Sequence, residues 1–181
     1  MERIFAPWRI EYINDVLKQR KEKGKEKEPE PCFLCEELKL FRENKKSLVI
    51  FASPYTFAVM NKFPYNSGHI IISPVKHVPE FVFLEIWERF EIIQLISIFI
   101  DILRYIMSPQ GFNIGVNIGK AAGAGLEEHL HLHIVPRWIG DSNFTTTCSE
   151  MKVIPEDIYV TADKIRQETL RRLTLLWGLS I

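Results

Sequence analysis

Three of the five histidines in this 181-residue chain stand at positions 129, 131 and 133, inside the stretch EEHLHLHIVPRW. Leu130, Leu132 and Ile134 fill the alternate positions. In an extended strand, residues two apart share a face. The three imidazoles would therefore stand on one side and three aliphatic chains on the other. Three neighbouring imidazolium ions would repel, so the rings must be neutral, metal-bound or hydrogen-bonded. Three chemistries fit. One is a hydrogen-bonded set on a half-exposed sheet. Another is a three-histidine metal site, which alternate strand positions can supply. The third is a nucleophilic histidine with a supporting neighbour.

A second pattern bears on the choice. Cys32-Phe33-Leu34-Cys35 is a C-x-x-C pair, a frequent half-site for zinc. A redox role fits less well, because no thioredoxin-like βαβ pattern follows. Two thiolates need two more ligands to close a tetrahedral site. Cys148, His77 in SPVKH and one histidine of the triplet are the candidates. A triplet histidine used in this way would hold its strand in place and free a neighbour for chemistry.

Just before the triplet lies NIGKAAGAGLEE, with Gly119, Gly123 and Gly125. Glycines let a backbone come close to a ligand, and successive N–H groups can cradle phosphate oxygens. Asn117 adds a neutral donor, and Lys120 reads as a solvent-facing loop residue. Neither a P-loop nor a dinucleotide fingerprint is present. A hairpin connection explains the glycines equally well, except that they lead directly into the histidine strand.

The elements that must position these residues can be read from periodicity. Residues 48–51, 56–61 and 69–73 are β-branched and aromatic runs bounded by turn signals, and read as strands. FPYNSG joins the second to the third as a hairpin loop. Residues 80–107 read as one long helix, buried on most sides and carrying Phe83, Ile86, Trp87, Phe90 and Ile93. Residues 112–119 and 129–135 read as two further strands. A terminal helix is expected from Pro155 to about residue 177, with the proline near its first turn. The expected class is α+β, with an antiparallel sheet.

We divide the chain into an N-terminal arm and charged loop (1–31), a central domain (32–150) and a C-terminal helical extension packed on that domain (151–181). Residues 8–13 read as a docking arm, and 18–31 as a solvated run of mixed charge. Lys and Arg together number 23, as do Asp and Glu, so the formal net charge is zero. That balance argues against a nucleic-acid partner, while one pocket for a small anion remains compatible. Residues 92–106 are apolar but carry Gln94, Asp101 and Arg104, too short and charged for a membrane span. No secretory signal is visible. The odd count of three cysteines argues for a reducing cytoplasm rather than a disulfide scaffold.

HLHLHIV resembles the signature of the histidine triad (HIT) superfamily, in which three histidines alternate with hydrophobic residues. PWRIEYI, CFLC, VMNKFPYNSGHIIISPVKH, GVNIGKAAGAGLEEHLHLHIVPRW and GDSNF are similar to its branch of diadenosine tetraphosphate phosphorylase-like and dinucleoside polyphosphate hydrolase-like proteins. Together they span most of residues 7–144. The resemblance implies a HIT-like antiparallel sheet with one long helix and a C-terminal helix. It implies a nucleotide substrate cleaved at the α-phosphorus through a nucleotidyl-histidine, with His131 as nucleophile and His133 in support. It implies a structural zinc on Cys32, Cys35, His77 and His129. Asn61 matches the residue that holds the ribose hydroxyls. Phe33, Leu34 and Phe63 would line the base pocket, and Asn117, Gly123, Ala124 and Gly125 the phosphate site. Relatives usually dimerise, so a homodimer is expected.

The chain departs from its relatives in one place. Several have Ser, Thr or Gln in the loop before the triad, where Ala124-Gly125-Leu126 stands here. Leaving-group specificity and efficiency are therefore open, and a nucleotide-binding protein with little activity is the alternative reading. His69 is expected to be structural, Glu127 and Glu128 solvated, and Cys148 a free thiol.

Overall fold

A computed structural model describes residues 32–141 and 153–177. The arm at 8–13, the charged run at 18–31, Cys148 and the last three residues of GDSNF lie outside the described residues.

In chain order the elements are α1 (Phe33–Arg42), β1 (Val49–Ala52), β2 (Thr56–Met60), β3 (Ile70–Pro74), α2 (Ile86–Met107), β4 (Gly111–Val116), β5 (Leu132–Arg137) and α3 (Ile158–Trp177). The five strands form one antiparallel sheet in the order β1-β2-β3-β5-β4. This is the expected α+β class. Ile71 and Gly115 both pair with His133, and Ile70 and Ile114 with Ile134. Cross-strand partners share a face. One face of the sheet therefore carries His69, Ile71 and His133, and the other Ile70, Ile72, Leu132 and Ile134.

α2 packs on β2, β3 and β5, and α1 on β1 and β2. The α2 residues Ile92, Leu95, Ile96, Phe99, Ile102 and Leu103 recur at helical spacing and are buried. The helix starts at Ile86 rather than at 80. Glu85 and Glu88 form a capping box there, with the Glu85 N–H donating to Glu88 Oε2 at 2.7 Å. Phe81–Phe83 form only a separate 3-10 turn. The expectation of burial on most sides also fails for the first half of α2. Ile86, Trp87, Phe90 and Ile93 are exposed, Ile86 at 75%. They lie on the side away from the sheet, where nothing in the described chain covers them.

The ladder of β5 begins at Leu132, three residues later than the sequence suggests, and runs on to Arg137. The backbone ahead of it is held otherwise. The Leu130 N–H donates to the Val78 carbonyl at 2.6 Å, and the Leu130 carbonyl accepts from Ser73 Oγ at 2.9 Å. β4 ends at Val116 rather than at 119, and Gly119 then turns with φ 76°. α3 starts at Ile158, because Asp157 Oδ1 accepts the Tyr159 N–H at 2.8 Å and caps the helix. Pro155 therefore precedes the helix, which starts three residues later than the sequence suggests. Arg166 of α3 donates to the Val49 carbonyl at 2.8 Å and to the Ser47 carbonyl, which covers the outer edge of the sheet. Among the described residues, no helix is long and apolar enough to cross a membrane.

Candidate active site

Each of the three alternating histidines has a different partner. His129 is buried, and its Nε2–H donates to the Pro74 carbonyl at 2.9 Å. That bond leaves Nδ1 with its lone pair, 3.3 Å from Cys32 Sγ and 3.5 Å from Cys35 Sγ. His77 Nδ1 stands 3.3 Å from Cys35 Sγ. One ligand atom from each of Cys32, Cys35, His77 and His129 lies within 4.8 Å of all the others, and no second such group occurs among the described residues. Cys32 and Cys35 come together because they sit at the N-cap and in the first turn of α1.

The electrostatics of this cluster fit a cation. Burial, followed by the neighbouring Cys32, pushes the Cys35 thiol up to about 11. Two adjacent thiols keep their protons unless a positive charge stands between them. Burial pushes His129 down to about 4, with His77 and His131 acting in the same direction against the Pro74 carbonyl. At neutral pH it is therefore the neutral imidazole that metal binding requires.

His131 is buried, and its Nδ1–H donates to the backbone carbonyl of His129 at 2.8 Å. A carbonyl can only accept, so the proton is on Nδ1 and Nε2 keeps a free lone pair. His133 Nδ1 lies 2.9 Å from Nε2 of His69, a residue with no exposed surface. Burial, then the charge of His131, pushes His133 down to about 4. Burial, then His133 and His131, pushes His69 to about 3. The two rings are neutral at neutral pH.

Gly115 pairs directly with His133, and a Cβ built on it would meet nothing within 4 Å. The space beside His133 is thus open on the β4 side. One step beyond the paired register (Val116 with Leu132), Asn117 stands opposite His131. The glycine loop follows. Its Gly123 N–H donates to the Lys120 carbonyl at 2.9 Å, and its Ala124 N–H to the Gly119 carbonyl at 3.4 Å. Those two amides are spent inside the loop. Among the described residues, the N–H groups of Gly125 to Glu128 make no hydrogen bond within the protein before Leu130 closes on Val78. The N–H groups of Gly125 to Glu128 are thus among the donors left for an anion.

Asn61 lies just past β2. Its Nδ2 is 3.2 Å from His69 Nδ1, and its Oδ1 accepts the Phe63 N–H at 3.1 Å. This places it at the same cluster as His69 and His133. Phe63 is 77% exposed and open to a ligand, and Phe33 is half-buried. Leu34 does not meet its expectation. It is 1% exposed within the core, because its place in the first turn of α1 points it at the sheet, so it offers no surface to a base. A cavity of about 690 Å³ lined by Asn66, Met107, Trp138 and Lys164 shares no residue with the histidine cluster. Cavity volume therefore does not locate this site.

His69 contacts His133, Tyr65 lies against its ring, and Gly115 stands opposite His133. The Tyr65 ring lies 4.6 Å from that of His69 and 5.6 Å from that of His133. The alternation of Gly111, Asn113, Gly115 and Asn117 on one face of β4 was the available signal for Gly115. No local signal links His69 to His133, which are 64 residues apart.

Residues 42–138 match the model of the HIT domain. The chain belongs to the HIT family. It is 32% identical over 178 residues to a protein of Mycobacterium tuberculosis named AP-4-A phosphorylase, covering 98% of this chain and 85% of that one. Over 94 residues it is 31% identical to bis(5'-adenosyl)-triphosphatase of Saccharomyces cerevisiae, covering 50% of this chain and 44% of that one. A solved zinc-bound HIT family protein from Mycobacterium smegmatis superposes with TM-score 0.63 at 20% identity, over 80% of this chain and 96% of that one. This HIT chain therefore carries the fold and the triad of its relatives.

Proposed function

We propose that this HIT protein cleaves a phosphoanhydride or phosphoramidate at the α-phosphorus of a nucleotide through a nucleotidyl-histidine on His131. The substrate class is dinucleoside polyphosphates of the diadenosine tetraphosphate kind, and the enzyme is a phosphorylase or hydrolase. The observation that carries this is the His131 Nδ1–H bond to the His129 carbonyl at 2.8 Å, which leaves Nε2 as the nitrogen that can attack. The similarity to AP-4-A phosphorylase over 98% of the chain supports the substrate class.

In the first step the Nε2 lone pair attacks the α-phosphorus, and the P–O bond to the departing phosphate chain breaks. The leaving group takes the electron pair. In the second step water or inorganic phosphate attacks the same phosphorus and the P–N bond breaks, returning the pair to Nε2. Charge builds on the nonbridging oxygens, so preorganised donors do most of the work. Asn117, His133 and the N–H groups from Gly125 onward would supply them. Asn61 would hold the ribose, and Phe33 and Phe63 the base.

We assign Cys32, Cys35, His77 and His129 to a structural zinc. Three of the four sulfur–nitrogen separations, 3.3, 3.3 and 3.5 Å, match the edges of a zinc tetrahedron, about 3.5 Å for ordinary Zn–S and Zn–N bonds. Four protein ligands would leave no open position, so the metal would brace the fold and supply no catalytic water. Reduced thiols of this kind suit a cytoplasmic protein. The exposed stripe of Ile86, Trp87, Phe90 and Ile93, with Ile114 exposed on the edge strand β4, suits a homodimer. A monomeric mass in sedimentation would sink that assignment.

The test is incubation with diadenosine polyphosphates, with and without phosphate. A nucleoside diphosphate formed only with phosphate identifies a phosphorylase. A nucleoside monophosphate formed without it identifies a hydrolase. A nucleotide-binding protein with little activity is the second reading, favoured by the lack of a side-chain donor at Ala124-Gly125. Tight binding with no acid-labile label on His131 would select it.

A further inference from the structure

We infer that Gly115 is a specificity-determining residue, and that the room it leaves beside His133 receives the leaving group, a nucleoside polyphosphate. This deepens the reading of His131 as nucleophile and rests on it for the sense of the reaction.

The fold itself has no need of glycine at this position. Glycine inside a strand packs no side chain and loses more freedom on folding than any other residue. Gly115 lies within β4, between Ile114 and Val116, which pair with Ile134 and Leu132. Among the described glycines, Gly68, Gly119, Gly123 and Gly140 have positive φ, and Gly115 does not. Its backbone would therefore accept any side chain. A Cβ built on it would meet no atom within 4 Å, so packing does not call for glycine either. What is left is a close approach from outside the chain.

The register places that approach at the triad. Gly115 pairs with His133, so a side chain there would share the face of the His133 ring, with the two Cβ atoms about 5 Å apart. Asn113 and Asn117 stand on the same face, each about 7 Å along the strand from Gly115. Arg137 Nη1 donates to Asn113 Oδ1 at 2.7 Å. A guanidinium only donates, so the Asn113 oxygen faces it and its Nδ2–H groups point elsewhere. Among the described residues, neither those groups nor the Asn117 amide has a hydrogen-bond partner. The bare floor at Gly115 is thus flanked by two unspent side-chain amides.

The strand order then divides the substrate. Asn61 follows β2, which lies two strands from β5 on one side, while β4 lies next to β5 on the other. With the ribose at Asn61 and the α-phosphorus at His131, one half of the substrate takes the β2 side. The open ground for the departing half is on the β4 side, over Gly115. A side chain at 115 would obstruct a nucleoside polyphosphate there and spare a small leaving group.

The test compares kcat/KM for diadenosine tetraphosphate and for adenosine 5'-phosphoramidate, whose leaving group is only ammonia, in the full-length protein. Gly115→Ala should lower the ratio of the first to the second about tenfold, and Gly115→Val by more, toward about 200-fold. Gly115→Ala should melt at or above the temperature of the unaltered chain, since glycine serves no purpose in the strand. An unchanged ratio, or an equal fall for both substrates, overturns the proposal. A changed mass in sedimentation overturns it too, because the space would then belong to a second copy of the chain. Titration calorimetry gives an arm that needs no turnover. Gly115→Val, or Gly115→Ala if the valine variant does not fold, should bind a methylene-bridged analogue of diadenosine tetraphosphate at least about tenfold more weakly, with AMP affinity held. Equal affinity for the analogue in variant and unaltered protein overturns the subsite. If the unaltered chain cleaves neither substrate, the nucleophile reading fails, and the calorimetry still decides whether Gly115 opens a subsite.

Discussion

Two clusters share one five-residue stretch and are built on opposite principles. At the His129 end, lone pairs converge: two thiols and two imidazole nitrogens face one another within 4.8 Å. At the His133 end, donors and acceptors alternate, from the Tyr65 and Asn61 N–H groups to His69 and on to His133. The first arrangement brings together four groups that could hold a cation. The second runs through His69 to His133, beside the His131 ring. The junction between them is the His129 residue itself. Its side chain belongs to the first cluster, while its backbone carbonyl sets the tautomer of His131. The same residue type thus stands in three different settings, each ring with its own hydrogen-bond partner.

The sharpest way to break this contrast is to remove the nucleophile. His131→Ala should lower turnover of a dinucleoside polyphosphate by about 10⁵-fold or more, with an unchanged circular dichroism spectrum. A folded variant with undiminished turnover would falsify the assignment of the second cluster.

The first cluster should answer to metal instead. Chelation, or Cys32→Ser, should release the ion and destabilise the fold. The loss is about 4 kcal/mol where free zinc exceeds its Kd a thousandfold. Thermal unfolding with and without chelator measures it. Turnover should fall as well, because the His129 carbonyl would lose its brace. A Cys32→Ser protein that keeps metal and melting temperature would leave a plain thiol–imidazole cluster.

Acid should act on the second cluster. His69 and His133 titrate in the fold near 3 and 4, well below the ordinary histidine value of about 6.5. As pH falls below about 6.5 the unfolded chain takes up protons that the fold refuses, so stability is complete above that pH and declines toward pH 4. The slope for the fully buried His69 is up to about 1.4 kcal/mol per pH unit. Urea midpoints measured from pH 7.5 to 4 should follow it, and His69→Leu should flatten the curve. A midpoint independent of pH over that range would contradict the neutral pair.

The smallest effect belongs to the strut between β3 and the triad. Ser73→Ala removes the Oγ–H bond to the Leu130 carbonyl at 2.9 Å. It should cost about 1–2 kcal/mol, since a buried carbonyl is left without that donor. Both clusters should be perturbed equally, in metal affinity and in kcat. An effect on one alone would show that they are mechanically separate.

The strands were legible because their patterns are local. β2 at 56–60 lies within the expected run of 56–61, and β3 at 70–74 overlaps the expected 69–73 with an offset of one residue. The alternation at 129–133 likewise announced one face of imidazoles. α2 was legible in its buried half, where spacing and burial agree, but its start was set by the Glu85–Glu88 capping box and not by the apolar run. Its outward stripe was misread because periodicity counts apolar residues without knowing what covers them. Leu34 was misplaced for a related reason: a residue beside Cys35 in sequence faces the core once the first turn of α1 closes.

By itself, then, the sequence determined the residue types, the α+β class, the shared face of the histidines and the pairing of Cys32 with Cys35 in one turn. Each of these depends on spacings of a few residues, which backbone geometry converts directly into position. Only the tertiary structure decided which nitrogen of each ring carries the proton. That choice rests on Pro74 for His129 and on His69 for His133, partners 55 and 64 residues away. It is made by strand register, because a single-residue slip of β3 against β5 would send His69 to the opposite face from His133.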